Sequence, residues 1–151
     1  MGETQRALEQ LYKILPITHE AISTTPFVKP KSYVENREKG LDGESMSDWF
    51  TGSGCVLVKV LLWYVFGIRA DLNGVSVGPC ANVPFERIHI TLKVKGVAVD
   101  LTYEKTGEGE RAFYVDGEEQ ACVYNEKTGV KEWRFQTADY AASGLRLRIT
   151  E

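Results

Sequence analysis

Residues 87–104 read RIHITLKVKGVAVDLTYE, and apolar and polar side chains alternate on both sides of a Lys95-Gly96 step. A period of two is typical of strands with one buried face, and Lys95-Gly96 predicts a two-residue hairpin turn. With that turn, every apolar residue of the first strand faces an apolar residue of the second. The predicted pairs are Ile88 with Tyr103, Ile90 with Leu101, Leu92 with Val99, and Val94 with Val97. The stretch therefore predicts an antiparallel hairpin of fixed register.

Further strand patterns lie on both sides of this hairpin. Each is short and bounded by turn residues, such as Asn73-Gly74 before the hairpin and Asp116-Gly117 after it. The segments are IRADLNGVSVGPC (68–80), RAFYV (111–115), EEQACVY (118–124), KEWRFQT (131–137) and GLRLRIT (144–150). Five to seven short antiparallel strands with such turns predict a β-sandwich.

Two helices are predicted before the strands. Residues 3–15 place apolar side chains on one face and end at Pro16, as an amphipathic helix does. The second helix is predicted from near Gly52 to about Phe66, with Gly67 as its stop. It is apolar on nearly every face, which is typical of a helix surrounded by protein.

The order of these elements predicts an α+β chain, with helices first and strands after. Residues 24–47 show no periodicity and predict a long loop. We therefore expect a helical segment over residues 1–67 and a β-sandwich domain over residues 68–151.

Composition is that of a globular protein. Hydrophobic residues make up 43% and charged residues 26% of the 151 residues, and 18 basic against 21 acidic side chains give a net charge of −3. No block of like charge suggests a nucleic-acid or membrane surface. Cys55, Cys80 and Cys122 match no metal-binding spacing. We expect buried thiols without disulfides, a cytoplasmic location, and neither a metal nor a cofactor.

Chemistry is suggested at SDWFTGSG, residues 47–54. Thr51, Gly52 and Ser53 open the second helix, where unpaired N–H groups and a missing side chain suit an anion. An ordinary N-cap at Thr51 or Ser53 also explains the stretch Thr51-Gly52-Ser53-Gly54 and is the simpler interpretation. Asp48 and Trp49 pair a carboxylate with an aromatic ring, as sugar-contacting residues do, although a Trp there also anchors loops.

Several segments, in this order, resemble the C-terminal end of the cellobiose phosphorylase family, the inverting glycoside phosphorylases of glycoside hydrolase family ninety-four and their cyclic glucan synthase relatives. The resemblance covers nearly the whole chain and is most specific at WFTGSG and GIRADLNGVSVGP. The segments are GETQRALEQLYKILPITHE, PFVKPKSYV, SDWFTGSG, YVFGIRADLNGVSVGPC and VKGVAVDLTYE.

The resemblance implies that residues up to about Phe66 form the last helices of an (α/α)6 barrel and that a jelly-roll-like domain follows. It implies that Thr51, and Gly52 through its backbone, contact the attacking inorganic phosphate. The family's general-acid Asp, its phosphate-binding Arg and a His all align upstream of Met1. The residues after the loop, Gly54-Cys55-Val56, also depart from the family pattern.

We therefore expect the C-terminal portion of a glycoside phosphorylase-like protein that is inactive alone, with no catalytic residue of its own, because inverting phosphorolysis needs a general acid. A standalone carbohydrate-binding or structural module, or an assembly subunit, is the alternative. Its sugar-stacking candidates would be Trp49, Trp63 and Trp133. The apolar second helix predicts a homo-oligomer or a complementary barrel chain.

Overall fold

The computed structural model describes residues 4–13, 15, 32–34, 36, 38–40, 45–46, 51–107 and 109–151. The chain divides into two compact units, one over Gln5–Leu61 and the other containing Leu62–Glu151. The predicted division at residues 67 and 68 follows secondary structure and stays a prediction. No helix in these described ranges is long and apolar enough to cross a membrane.

The described residues before residue 61 form two α-helices and a short strand pair. Helix α1 spans Thr4–Lys13 and matches the helix predicted over residues 3–15. Strands β1 (Ser32–Tyr33) and β2 (Ser45–Met46) pair antiparallel within the stretch predicted as a loop. Helix α2 spans Thr51–Val60. Whether these helices belong to a barrel stays a prediction.

The second predicted helix changes its hydrogen-bonding pattern before it ends. After α2, Leu61–Val65 form a π-helical turn, which the sequence analysis did not predict. Gly67 follows with φ +67°, a left-handed conformation that ends helices and that glycine adopts without a Cβ penalty. The predicted stop at Gly67 is confirmed.

Nine strands and a short helix follow. The first six strands are β3 (Ile68–Asp71), β4 (Gly74–Val77), β5 (Arg87–Val94), β6 (Val97–Glu104), β7 (Ala112–Val115) and β8 (Glu118–Gln120). The remaining elements are β9 (Val123–Asn125), β10 (Val130–Phe135), α3 (Thr137–Tyr140) and β11 (Leu145–Thr150). The order is β3-β4-β10-β9 in a four-stranded sheet and β5-β6-β11-β7-β8 in a five-stranded sheet.

The hairpin predicted from residues 87–104 is confirmed in every pair. Ile88 lies opposite Tyr103, Ile90 opposite Leu101, Leu92 opposite Val99 and Val94 opposite Val97. Lys95 and Gly96 both have positive φ, 46° and 92°, as the two central residues of a type I′ turn require.

The two sheets form a sandwich with a shared apolar core. Ile68, Val75 and Val77 from the four-stranded sheet lie in the same buried cluster as the inward residues of the five-stranded sheet. Those residues include Val97, Val99, Leu101, Tyr103, Phe113, Leu145, Leu147 and Ile149. The predicted β-sandwich is therefore confirmed for this part of the chain.

Three details of the strand prediction are wrong. Asp71 pairs with Gly74, so the first turn is formed by Leu72 and Asn73, one residue earlier than Asn73-Gly74. EEQACVY divides into β8 and β9, which pair in different sheets, and so marks a crossing between them. Strand β11 lies between β6 and β7 and is parallel to β6, so the sandwich is mixed and not wholly antiparallel.

Candidate functional site

The predicted anion-binding residues lie in the first turn of α2. Thr51 begins the helix, and Gly52 is exposed. A Cβ placed on Gly52 or on Gly54 would meet no atom of the described residues within 4 Å. Glycine is about 1 kcal/mol less favourable than alanine inside a helix, and packing within the described chain does not require it here. A glycine in the first turn of a helix places no side chain beside the backbone N–H groups, which suits an approaching anion.

Charge at this helix start suits an anion, because the first turn of α2 carries no acidic side chain. The side chains of Thr51 and Ser53 lie outside the described residues, and so do Asp48 and Trp49 entirely. Their predicted roles as phosphate-binding and sugar-contacting residues stay predictions.

Two tryptophans proposed for sugar stacking in the rival interpretation do not lie on an open surface. Trp133 is only 6% exposed and lies in the sandwich core. Its ring stacks on Phe135 at a centroid distance of 5.2 Å and meets Tyr140 edge-on at 6.2 Å. The hypothesis of an exposed Trp133 is therefore wrong, because the inward register of β10 buries it. Trp63 is half-buried.

The cysteine prediction is partly wrong. Cys55 is exposed on α2, although its apolar neighbours predicted burial, and Cys80 and Cys122 are half-buried. None of the three forms a disulfide in the described structure. Within the described ranges, no group of three or more His, Cys, Asp or Glu side chains could hold a metal ion.

The most buried carboxylate in the described chain, Glu132 on β10, is held by its neighbours. Its Oε1 accepts a hydrogen bond from Thr128 Oγ1 at 2.6 Å and also pairs with Arg69, while its Oε2 accepts one from Asn125 Nδ2 at 3.0 Å. Both oxygens are therefore used in joining β3, β9 and β10. A carboxylate held in this way has a structural role, because its hydrogen bonds satisfy a buried polar group.

A second polar cluster joins Arg111, Glu151 and Tyr103. Arg111 is buried and donates from Nη1 to the Pro79 carbonyl oxygen at 2.6 Å and from Nη2 to Glu151 Oε2 at 2.6 Å. Tyr103 Oη donates to the same carboxylate oxygen at 2.8 Å. Burial alone would raise the pKa of Glu151, but the hydrogen bonds from Arg111 and Tyr103 outweigh it and hold that pKa below its usual value.

The sequence analysis missed an open groove of about 820 Å³ on the outer face of the five-stranded sheet. Because side chains alternate along each strand, the residues between the buried core positions point outward and form rows across β5, β6, β11 and β7. The rows are Asp100 beside Arg146; Thr102 beside Arg148 beside Tyr114; and Arg87 beside Glu104 beside Thr150.

Some of the charges in this groove are paired. Glu104 lies 3.4 Å from both Arg87 and Arg148, and Asp100 Oδ1 lies 2.7 Å from His89 Nε2. Arg146, Tyr114 and Asp116, the last at the turn after β7, make no side-chain hydrogen bond or ion pair with the described residues. The sequence signals for the groove were the polar residues that alternate with apolar ones in the hairpin and in β11, and neither pattern reveals which strands lie side by side.

Comparison with known proteins gives a distant relationship. No protein-family model matches the chain. Over 135 residues it is 21% identical to an N,N'-diacetylchitobiose phosphorylase of Vibrio furnissii. The match covers 85% of this chain but 17% of that protein. The chain is thus distantly similar, over most of its length, to about one sixth of a phosphorylase.

Proposed function

We propose that the chain is the C-terminal portion of a glycoside phosphorylase-like, carbohydrate-active protein, and that Thr51, Gly52 and Ser53 contact inorganic phosphate. The observation that carries the proposal is the similarity over 85% of the chain to a phosphorylase. The open first turn of α2 supports the phosphate contact.

The contact follows from the chemistry of a helix start. The first N–H groups of α2 lack partners within the helix and carry partial positive charge. Gly52 lets an oxyanion approach them, and the hydroxyls of Thr51 and Ser53 supply further donors. Asp48 and Trp49, just before the helix, are proposed to contact the sugar.

The same proposal makes the chain inactive alone. Inverting phosphorolysis requires a general acid at the leaving oxygen while phosphate attacks from the opposite face of the sugar. Among the buried or half-buried carboxylates described above, Glu132 and Glu151 already accept hydrogen bonds from neighbouring side chains, and Glu104 is paired with Arg87 and Arg148. We propose that the proton donor belongs to a segment that this sequence does not contain.

An activity assay tests the proposal that the chain lacks a general acid. The purified chain is incubated with inorganic phosphate and either N,N'-diacetylchitobiose or cellobiose, and sugar 1-phosphate is quantified. We expect no product above a protein-free blank, while the Vibrio furnissii phosphorylase assayed alongside serves as the positive control. Sugar 1-phosphate formed by the chain, and abolished by changing one of its own carboxylates to the amide, would contradict the proposal.

A further inference from the structure

We infer that the groove on the outer face of the five-stranded sheet binds a neutral oligosaccharide. The inference goes beyond the proposed phosphate contact, because every lining residue belongs to Arg87–Thr150 and none to α2. It depends on the charge balance, the unused polar groups and the one aromatic ring of the groove.

The charges of the lining residues balance. Three arginines, Arg87, Arg146 and Arg148, face three carboxylates, Asp100, Glu104 and Asp116. A groove with balanced charge offers no net field to attract an anion or a cation. A sugar hydroxyl both donates and accepts hydrogen bonds, so a neutral polyhydroxyl ligand matches guanidinium donors that lie next to carboxylate acceptors.

The groove also holds polar groups with no partner in the described chain. Arg146 presents donors, Asp116 presents acceptors, and the Tyr114 hydroxyl presents both. Arg146 lies beside Asp100 in the register of β6 and β11, yet the two form no ion pair within 4 Å. Arg146 and Asp116 are exposed and Tyr114 is half-buried, so a ligand can reach all three.

Tyr114 supplies the apolar surface that a sugar ring needs. Its ring lies in the middle row, next to Arg148, and is half-buried by the sheet. An aromatic ring with a polar tip packs against an apolar face while its hydroxyl forms hydrogen bonds, and the C–H face of a pyranose is such an apolar surface.

The dimensions of the groove favour an oligosaccharide over a single enclosed sugar. The volume of about 820 Å³ lies in the range of small-molecule sites, roughly 300–1,000 Å³. The rows follow one another at every second residue, so three rows extend about 13 Å along the strands. The groove is open to solvent at the sheet surface, which lets an oligosaccharide continue beyond it.

The test is a titration of the whole 151-residue chain with N,N'-diacetylchitobiose and with cellotetraose, followed by amide chemical shifts in two-dimensional NMR. We expect saturable shifts for residues 100–104, 114–117 and 146–150. Arg146→Ala should weaken binding about tenfold or more, because a hydrogen bond to a charged group is lost. Tyr114→Ala should also weaken it. The matched controls Arg134→Ala and Tyr124→Ala, on the other sheet, should leave the affinity unchanged.

The same spectra contain the outcomes that would overturn the inference. These are the absence of saturable shifts at millimolar sugar, shifts confined to α2 or to the four-stranded sheet, or an unchanged affinity in Arg146→Ala. Competition by inorganic phosphate for the groove signals would show an anion site and would also overturn it. Phosphate binding at Gly52 gives separate signals, so failure at the groove and failure of the proposed phosphate contact are distinguishable.

Discussion

Gly67 lies where two backbones meet more closely than a side chain permits. Its carbonyl oxygen accepts a hydrogen bond from Gly78 N at 3.1 Å, and a Cβ placed on it would lie 1.8 Å from Gly78 O. The sequence analysis identified Gly67 only as a helix stop, because its close neighbour Gly78, eleven residues later, cannot be read from one position. Gly67 therefore has a second role: because it lacks a Cβ, its backbone can lie directly against that of Gly78.

Gly67→Ala should therefore destabilise the chain far more than its backbone angle alone predicts. Gly107 has nearly the same φ, +71° against +67°, but open space around its Cβ position. Gly107→Ala should cost about 1–2 kcal/mol for the left-handed angle, and Gly67→Ala more than about 4 kcal/mol. Urea unfolding of both variants gives the two free energies. Equal losses would show that the close approach to Gly78 is not restrictive.

The raised pKa of Tyr103 predicts how the free energy of unfolding responds to alkaline pH. Burial, and then its hydrogen bond to Glu151, raise the pKa of the Tyr103 hydroxyl well above its usual 10.0. Below pH 10 the hydroxyl is protonated in both states. Above pH 10 the unfolded chain releases the proton while the folded chain retains it, so the free energy of unfolding falls as pH rises.

Tyr103→Phe should remove the part of the alkaline loss of stability that comes from this hydroxyl. Near pH 8 the variant should be less stable by about 1 kcal/mol, because the hydrogen bond to Glu151 is lost. Between pH 10 and 11.5 its stability should fall less steeply than that of the unmodified chain, in which all seven tyrosines remain. Parallel slopes for the two proteins would contradict a raised pKa at Tyr103.

Among the elements, the hairpin β5–β6 was predictable and the pairing of β6 with β11 was not. The hairpin register depends on alternation and on a two-residue turn, which lie together in residues 87–104. Strand β11 reaches its place beside β6 after β7–β10 and α3, and nothing local encodes that neighbour. The groove arises from this pairing, which is why its residues were not predicted as a site.

Substitutions in strand β11 should reduce stability much more at its buried positions than at its exposed ones. Ile149 is fully buried between the sheets, so Ile149→Ala should cost about 2–5 kcal/mol. Arg146, on the same strand but on the outward face, makes no ion pair with the described residues, and Arg146→Ala should change stability by less than about 0.5 kcal/mol. Thermal unfolding measures both. A large loss in Arg146→Ala would assign that residue to folding and not to ligand binding.

For the whole molecule, the sequence predicted more than one unit and a need for a partner. The structure leaves Val56 and Val60, which lie four residues apart on one face of α2, 61% and 37% exposed. Contiguous exposed apolar surface is typical of interfaces. We expect the pure chain to self-associate, and Val56→Asp combined with Val60→Asp to shift it toward monomer in light scattering. A clean monomer at every concentration of the unmodified chain would contradict this expectation.

The sequence analysis predicted a resemblance to phosphorylases from the order of short motifs, and the comparison gives 21% identity to a phosphorylase. The proposed chemistry at 51–53 was suggested by residue types alone. The proposed phosphate donors are backbone N–H groups and the two hydroxyls of Thr51 and Ser53. A direct observation of the anion is therefore the decisive step.

The most direct measurement is a titration of the chain with inorganic phosphate, followed at the Gly52 amide by NMR. The proposal predicts a saturable shift of that amide with phosphate, none with chloride at equal ionic strength, and weaker binding in Thr51→Val. The proposal would be contradicted if the same spectra show a folded chain and the Gly52 amide does not respond to phosphate. That result would favour a module without a phosphate site.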